Sequence, residues 1–224
     1  MTTKLIRYIL YSIAIVFIAS ISDLNATRVS GEVSGEWTRE GHPYDVMENI
    51  VLRAGQTLTI DAGVQVLFQS GTNFIVYGTL VANGAARDSI IFRANNRQVG
   101  DWRWLKFEGP AANRSVLNYC VITHTERGLH MLNASPTISN SRISNHETTC
   151  VRIERSQGKL LNSDISNSQR TSIIITDNSY PTVRNCRIVN SPDNGIAIAS
   201  NSGGIISGNT IIGAGDNGIF LSSA

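Results

Sequence analysis

The sequence predicts an all-β chain folded as a right-handed parallel β-helix, a solenoid whose coils contain 22–23 residues each. The first observation is a repeat that runs from residue 117 to the C-terminus. Its copies begin with LNYCVIT at 117–123, SNSRISN at 139–145, LNSDISN at 161–167, RNCRIVN at 184–190 and SGNTIIG at 207–213. Apolar residues recur in columns: Val121, Ile143, Ile165, Ile188 and Ile211; Leu129, Val151, Ile173, Ile196 and Ile219; and Met131, Ile153, Ile175, Ile198 and Leu221.

The second observation is the spacing of apolar residues within a copy. They lie two positions apart, as in Val151 and Ile153, and most are β-branched, which is typical of strands. Asn, Ser, Gly and Thr fill the intervals and favour turns. A leucine-rich horseshoe has a similar period, but its Leu-x-x-Leu-x-Leu pattern is absent from the sequence.

Asparagines also recur at fixed positions. One column contains Asn118, Asn140, Asn162 and Asn185, and another contains Asn145, Asn167 and Asn190. We expect the side-chain amides to stack along the solenoid axis and to hydrogen-bond to one another. Turn propensity alone is the alternative explanation. In both cases the asparagines are structural.

The chain divides into three segments. Residues 1–22 read as a secretory signal peptide, with Lys4 and Arg7 before an uncharged run from Tyr8 to Ile21 that is short for a bilayer span. Residues 23–50 are expected to form a linker and an N-terminal cap that contains Trp37 and Tyr44. Residues 51–224 are expected to form the β-helix. We therefore predict export to the periplasm, cell surface or extracellular space, with no membrane span in the mature chain.

Charge and cysteine positions narrow the chemistry. The net charge is only +2 and no basic stripe is visible, so nucleic acid is not an expected partner. The repeat places Cys120 and Cys186 three coils apart, beyond disulfide reach, and Cys150 on a different strand of its coil. We predict no disulfide, with Cys186 acting as a small buried residue in a column with Tyr119.

Segment 31–109 contains the residues that most resemble a known protein family. The matching residues are Pro43-Tyr44, Ala54-Gly55-Gln56-Thr57-Leu58-Thr59-Ile60, Gly63-Val64, Gly78-Thr79-Leu80 and Ala82-Asn83-Gly84. With the Trp-rich turn and repeats that follow, the chain resembles secreted bacterial right-handed β-helix proteins of the pectin-lyase-like superfamily. The resemblance implies the fold over about 31–224 and leaves the activity open. Because the sequence stops within a coil, we also expect the reading frame to be truncated at the C-terminus.

Enzymes of that superfamily carry carboxylates and cations on outward strand positions. The corresponding column here contains Arg142, Asp164 and Arg187, and it begins at Cys120. Asp164 and Arg187 are thus weak acid/base candidates. Because the charges alternate along the column, a surface ion-pair ladder explains it as well, at about 0–1 kcal/mol per pair.

A second set of weak acid/base candidates contains His124, Glu126, His146 and Glu147. The two histidines are 22 positions apart, so we expect them to stack at one bend. His130 is expected at the surface. The turns Asp193-Asn194-Gly195 and Asp216-Asn217-Gly218 precede strands, and calcium could bind there. We otherwise expect no metal and no cofactor.

Aromatic and basic residues gather once, at Trp102, Arg103, Trp104 and Lys106. If Leu105 and Phe107 point inward, alternation places both tryptophans outside, where they could stack on a sugar or a neighbouring module. Packing over a bend is the alternative. We therefore expect a structural or adhesive module that binds a polysaccharide or cell-envelope glycan. A polysaccharide lyase or glycoside hydrolase completed by further C-terminal coils is the alternative function, and self-assembly through a bare strand edge is a third.

Overall fold

The predicted parallel β-helix is confirmed. A computed structural model describes residues 26–222, and they form an all-β solenoid of about 8 turns with about 23 residues per coil. Each regular coil contains three short strands. Each strand pairs in parallel with the equivalent strand of the next coil. The predicted signal peptide at 1–22 lies outside the described residues.

The strands occur in the following order. The first coils contain β1 (Thr27–Glu32), β2 (Gly35–Trp37), β3 (Tyr44–Leu52), β4 (Thr57–Ile60), β5 (Gln65–Phe68), β6 (Phe74–Val76), β7 (Thr79–Asn83), β8 (Ile90–Ala94) and β9 (Leu105–Glu108), followed by a 3-10 helix at Pro110–Arg114. The middle coils contain β10 (Val116–Asn118), β11 (Cys120–Thr123), β12 (Leu129–Leu132), β13 (Thr137–Ser139), β14 (Arg142–His146) and β15 (Val151–Glu154). The last coils contain β16 (Lys159–Leu161), β17 (Asp164–Ser168), β18 (Ile173–Thr176), β19 (Thr182–Arg184), β20 (Arg187–Ser191), β21 (Ile196–Ile198), β22 (Ile205–Ser207), β23 (Thr210–Ala214) and β24 (Ile219–Leu221).

Three sheets run along the solenoid. Sheet I contains β3, β5, β8, β11, β14, β17, β20 and β23; sheet II contains β3, β6, β9, β12, β15, β18, β21 and β24; and sheet III contains β2, β4, β7, β10, β13, β16, β19 and β22. β3 belongs to two sheets because its first half pairs with β5 and its second half pairs with β6. β1 pairs with β3 at the N-terminal end of the solenoid.

The segment expected to cap the solenoid already contains solenoid strands. β2 pairs with β4, and β3 pairs with the next strands of sheets I and II. Trp37 and Tyr44 stack, with ring centroids 4.6 Å apart and planes inclined by 11°. β1 therefore covers the first coil, and this aromatic pair lies inside it.

The core consists of aliphatic columns. Ile122, Ile143, Ile165 and Ile188 face inward from sheet I in register and are fully buried, and the sheet II columns through Leu129 and Met131 match the sequence expectation. Burying each such side chain stabilises the fold by about 1.5–3 kcal/mol. Identical β-branched residues stack well because each occupies the same site in its coil.

One repeat is shorter than the sequence pattern indicated. Asn118 pairs with Ser139, and Val121 pairs with Arg142, so the step between these coils is 21 residues. The prediction that Val121 belongs to the inward column with Ile143 is wrong. Ile122 occupies that position and faces inward, whereas Val121 faces outward. The corner at residues 124–128 is one residue shorter than the equivalent corner at 145–150, which shifts the register upstream of it.

The same shift corrects the neighbouring positions. Asn118 lies one position before the Asn140 column, whose member in this coil is Tyr119, with φ of 49°. Cys120 is buried in a column with Ser141, Ser163 and Cys186, so it does not begin the outward charged column. The expectation that Cys186 is a buried small residue is confirmed, although it shares a column with Cys120 and not with Tyr119.

A left-handed residue turns the chain at the corner between sheets I and II. The column contains His124 (φ 68°), Asn145 (φ 61°), Asn167 (φ 56°), Asn190 (φ 57°) and Gly213 (φ 68°). Asn and Gly tolerate this conformation best. The predicted amide ladder is confirmed here: Asn167 Nδ2 donates to Asn145 Oδ1 at 3.1 Å, and Asn190 Nδ2 donates to Asn167 Oδ1 at 2.9 Å.

Replacing Asn167 tests the ladder. Alanine should lower the free energy of unfolding by about 2–3 kcal/mol, because it loses both amide hydrogen bonds and is strained at positive φ. Glycine should cost only about 1 kcal/mol, because it loses the hydrogen bonds without strain. Urea unfolding followed by circular dichroism would measure both losses. Equal losses would contradict the left-handed role of this column.

Candidate functional site

Trp102 belongs to the core. Its side chain is fully buried, its ring stacks on Phe68 with centroids 3.9 Å apart, and its Nε1 donates to the Thr123 carbonyl at 2.8 Å. The prediction that Trp102 points outward is therefore wrong. Strand alternation does not extend to it, because β9 begins only at Leu105 and Trp102 lies in the preceding bend. Trp102 cannot contact a ligand.

Trp104 lies half-buried at the outer surface of sheet II, as predicted. The Arg127 guanidinium carbon lies 5.0 Å from the Trp104 ring centroid, and Lys106 Nζ lies 5.8 Å from it. Arg103 is exposed one coil before Arg127, whose backbone N–H donates to the Arg103 carbonyl at 2.9 Å. Cation–π attraction holds both cations against the indole. Trp104 therefore positions these side chains, and its ring is not free to stack on a sugar.

A groove of about 590 Å³ continues from Arg127 along the following coils, and we call it the cationic groove. Its lining includes Arg127, Arg152, Arg170, Thr148, Thr149 and Thr171. These residues come from the corner between sheets I and II and from the start of sheet II. Coil stacking therefore collects guanidinium and hydroxyl groups that lie far apart in the sequence.

The three arginines are held in the same way. Arg127 Nε donates to Glu126 at 2.9 Å, Arg170 Nε donates to Asp193 at 3.2 Å, and Arg152 Nε donates to Glu154. Within residues 26–222 their terminal Nη atoms have no hydrogen-bond partner. Each guanidinium is thus oriented from one side while its two-nitrogen edge stays available for a planar anion.

His130 and Glu154 form a pair that the sequence analysis missed. His130 Nε2 lies 3.0 Å from Glu154 Oε2, and the two side chains are 14% and 13% exposed. Burial lowers the pKa of His130, and the Glu154 charge opposes this. Burial alone would raise the pKa of Glu154, but the Arg152 charge and hydrogen bond, together with His130, bring that pKa below its ordinary value.

Register explains why the pair was missed. His130 lies directly opposite Arg152, so Glu154 is its diagonal neighbour two residues further along β15. Both residues occupy outward positions on adjacent strands. The alternation of inward and outward residues along each strand could have predicted that these two side chains share one face of sheet II. His130 lies at the surface as expected, and its side chain pairs there with Glu154.

The four residues His124, Glu126, His146 and Glu147 do not form one site. His146 stacks between Thr125 and Ser168, whereas His124 stacks on Asn145, so the predicted pairing of the two histidines is wrong. The short corner at 124–128 causes the offset. His146 is fully buried, with Nδ1 2.6 Å from Thr125 Oγ1.

The acidic members of that set point elsewhere. Glu126 pairs with Arg127, and Glu147 is exposed beside Gly100. Asp193, in one of the two turns considered for calcium, pairs with Arg170. In the described chain, no three His, Cys, Asp or Glu side chains are grouped as a metal site would require.

The predicted charged column lies on sheet I. Arg142, Asp164 and Arg187 are in register, and Arg187 Nη1 lies 3.2 Å from Asp164 Oδ2. These two side chains are 56% and 34% exposed, so solvent screens the pair and its contribution is small. The column lies apart from the cationic groove.

The cysteines carry no reactive chemistry. Cys120, Cys150 and Cys186 are buried and free, and burial raises the pKa of each thiol. They are therefore protonated at neutral pH, and thiolate chemistry is not expected.

His146 should make stability depend on pH. Burial, followed by the His124 charge, lowers the pKa of His146 to about 3, against an ordinary value of 6.5. Below pH 6.5 the unfolded chain binds the proton more readily, so stability should fall by up to about 1.4 kcal/mol per pH unit as the pH drops towards 3. Urea unfolding at pH 7 and pH 5 measures this. The His146→Gln variant should show a smaller difference between the two pH values; an unchanged difference would contradict the assignment.

Comparisons with known proteins agree with this architecture. Residues 127–224 match the family model for a right handed beta helix region. A stretch of 56 residues is 38% identical to the protein bark beetle of Drosophila melanogaster, which covers 25% of this chain and only 2% of that protein. No solved structure gives a significant match. Among residues 26–222, no helix is long and apolar enough to cross a membrane. The coils before residue 127 continue the pairing of those after it, so the chain is a right-handed parallel β-helix repeat protein, consistent with the pectin-lyase-like superfamily.

Proposed function

We propose that this protein is an exported structural or adhesive β-helix module that binds an acidic glycan in the cationic groove. Export rests on the N-terminal sequence, where a positive segment precedes an uncharged apolar run. The observation that carries the glycan proposal is the set of three arginines with open guanidinium edges beside threonine hydroxyls.

Guanidinium edges favour a carboxylate or sulfate. Two parallel N–H groups match the two oxygens of such an anion, and each arginine is already oriented through its Nε. Thr148 and Thr171 supply hydroxyls that can exchange hydrogen bonds with sugar hydroxyls. The groove crosses successive coils that are about 4.8 Å apart, so it presents similar groups at regular intervals. A sugar polymer, which also repeats along its length, suits such a surface.

The role of Trp104 in this proposal differs from sugar stacking. The indole centroid lies 5.0 Å from Arg127 and so helps to hold this cation at one end of the groove. Lys106, at 5.8 Å from the centroid, is paired with Glu108 at 2.8 Å and does not line the groove. Glu126 and Asp193 also line the groove, so they limit its excess of positive charge. Binding should therefore be specific for spaced anionic groups and sensitive to salt.

Substitution of Arg127 tests the site. We expect Arg127→Ala to weaken binding of a carboxylated polysaccharide about 5- to 10-fold, because one bidentate contact is lost. Isothermal titration at low ionic strength would measure it. The carboxyl-reduced form of the same polysaccharide serves as the neutral ligand and should bind far more weakly.

Arg187→Ala is the matched control. Arg187 is 56% exposed and paired with an aspartate, and Arg127 is 58% exposed and paired with a glutamate, but Arg187 lies on sheet I. The control should bind like the wild type. Equal weakening in both variants, or equal binding of the acidic and the reduced polysaccharide, would sink the proposal.

A second candidate function is elimination chemistry on a glycan that extends beyond the groove, favoured by the His130–Glu154 pair, which does not line the groove but lies beside its Arg152. Glu154 holds His130 Nε2, and Nδ1 has no hydrogen-bond partner within residues 26–222. A neutral Nδ1 could take the proton α to a uronate carboxylate while an arginine neutralises that carboxylate; the electron pair would form a C=C bond and expel the glycosidic oxygen.

Ultraviolet absorbance of the unsaturated product would detect this reaction. Activity should rise with pH through the lowered pKa of His130, because only the neutral imidazole accepts a proton. His130→Ala should reduce the rate at least about 100-fold, with binding retained. If the wild type produces no unsaturated ends, the proposed elimination does not take place.

A further inference from the structure

A group of buried polar side chains lies inside the corner between sheets I and II, beneath the corner residues that line the cationic groove. We call it the corner cluster, and its members are Thr125, His146, Ser168, Ser172 and Ser191. All of them are at most 4% exposed. Polar groups are costly to bury unless they are hydrogen-bonded. The bonds of this cluster reach the backbone of the corner.

Thr125 holds the first turn of the corner. Its hydroxyl accepts a hydrogen bond from the Gly128 N–H and lies 2.6 Å from His146 Nδ1. The Thr125 N–H also donates to Nδ1, at 3.3 Å. These bonds make Nδ1 the acceptor and assign the proton of the neutral imidazole to Nε2. Because Gly128 directly follows Arg127, this chain of bonds fixes the turn that presents the Arg127 side chain.

Serine hydroxyls have the equivalent role at Arg170. Ser168 Oγ donates to the Arg170 carbonyl at 2.7 Å and lies 3.0 Å from Ser172 Oγ. Ser172 Oγ in turn lies 2.5 Å from Ser191 Oγ. Donation from Ser191 to Ser172 to Ser168, and on to the carbonyl, satisfies all three hydroxyls. Both corner arginines of the groove therefore lie on backbone held by buried side chains, whereas Arg152 lies within strand β15.

Protonation of His146 would break the first of these connections. With a proton on both nitrogens, Nδ1 can accept from neither the Thr125 hydroxyl nor the Thr125 N–H, and that N–H then faces another donor. Nε2 has no hydrogen-bond partner within residues 26–222, so the buried cation would lack an acceptor on that side as well. The closed turn therefore requires a neutral His146.

The groups that face His146 do not stabilise a positive charge on it. His124, on the preceding coil, lowers the pKa of His146 further, after the larger effect of burial. Glu147, the next residue, is exposed, and Ser168, on the following coil, is uncharged. Burial raises the pKa of the Cys150 thiol, so this side chain stays neutral too.

We propose that the corner cluster positions Arg127 and Arg170 in the cationic groove, and that proton uptake by His146 opens the turn at Arg127. This regulation rests on the function proposed above, because it acts on the same groove. Thr125 and His146 are buried and contact no ligand, so they are positioning residues. A corner can open locally while the core columns stay paired. Acidification should therefore weaken binding while the rest of the solenoid remains folded.

Hydrogen exchange of the Gly128 amide tests the turn directly. The pKa of His146 is about 3 in the closed turn and should return to 6.5 in the open one. A change from pH 7 to pH 5 should then lower the protection factor of the Gly128 amide about 20-fold. NMR exchange rates of the full-length protein, corrected for the intrinsic effect of pH, measure this. In His146→Asn an amide oxygen replaces Nδ1 as acceptor without titrating, so the protection should stay constant.

The Gly158 amide is the matched control. It donates to the buried hydroxyl of Ser156 at 3.1 Å, at the corner between sheets II and III. Its protection should not depend on His146. An equal fall at Gly128 and Gly158 would overturn the proposal, because proton uptake would then act on the whole fold. An equal fall at Gly128 in the wild type and in His146→Asn would overturn it as well.

Binding of a carboxylated polysaccharide tests the positioning of Arg127. Thr125→Val removes the hydroxyl at nearly constant shape and should weaken binding about fivefold at pH 7, because the Gly128 N–H loses its acceptor. Thr125→Ser keeps the hydroxyl and should bind like the wild type. Added to Arg127→Ala, Thr125→Val should cause no further loss, since it acts through Arg127. Ser156→Ala removes a comparable hydroxyl away from the groove and should leave binding unchanged.

The two measurements fail in different ways. If the wild type binds no carboxylated polysaccharide, the proposed function fails, and exchange of the Gly128 amide alone decides whether the cluster controls the turn. If the wild type binds and Thr125→Val binds equally well, the cluster does not position Arg127 and the inference fails. Further weakening by Thr125→Val in the Arg127→Ala background would also contradict it, because the effect would then be a general loss of structure.

Discussion

Parallel pairing between successive coils is the constraint on which the rest of this structure depends. Each strand forms its hydrogen bonds with the same strand of the next coil, so equivalent residues must lie directly above one another. Inside, this requirement selects columns of isoleucine, valine and leucine. At the corners it selects residues that tolerate positive φ, and stacked asparagines meet that need while their amides bond to each other.

Stacking has a different consequence at the outer surface. Like charges in one column would repel at a separation of about 4.8 Å, so charges must alternate or pair sideways. Sheet I alternates, with Asp164 between Arg142 and Arg187. Around sheet II, Arg127, Arg152 and Arg170 instead pair with acids through Nε. The second arrangement leaves the guanidinium edges open, which is why we propose binding of an acidic glycan on the sheet II side.

One corner accounts for several differences between expectation and structure. Because residues 124–128 form a corner one residue shorter than 145–150, every upstream residue of that coil moves by one register position. The shift puts Ile122 in the core, separates His124 from His146 and buries Cys120. A change of one residue matters because side chains alternate sides with a period of two.

The sequence by itself determined the fold class, the strand order and the inward columns from residue 129 onward, because a period near 22 and alternation of apolar residues are properties of neighbouring positions. It also determined the amide ladder at Asn145, Asn167 and Asn190. Only the tertiary structure decided that Trp102 stacks on Phe68 in the core and that His130 meets Glu154. Those contacts depend on the path of a bend and on a diagonal step between coils, and neither follows from spacing along the chain.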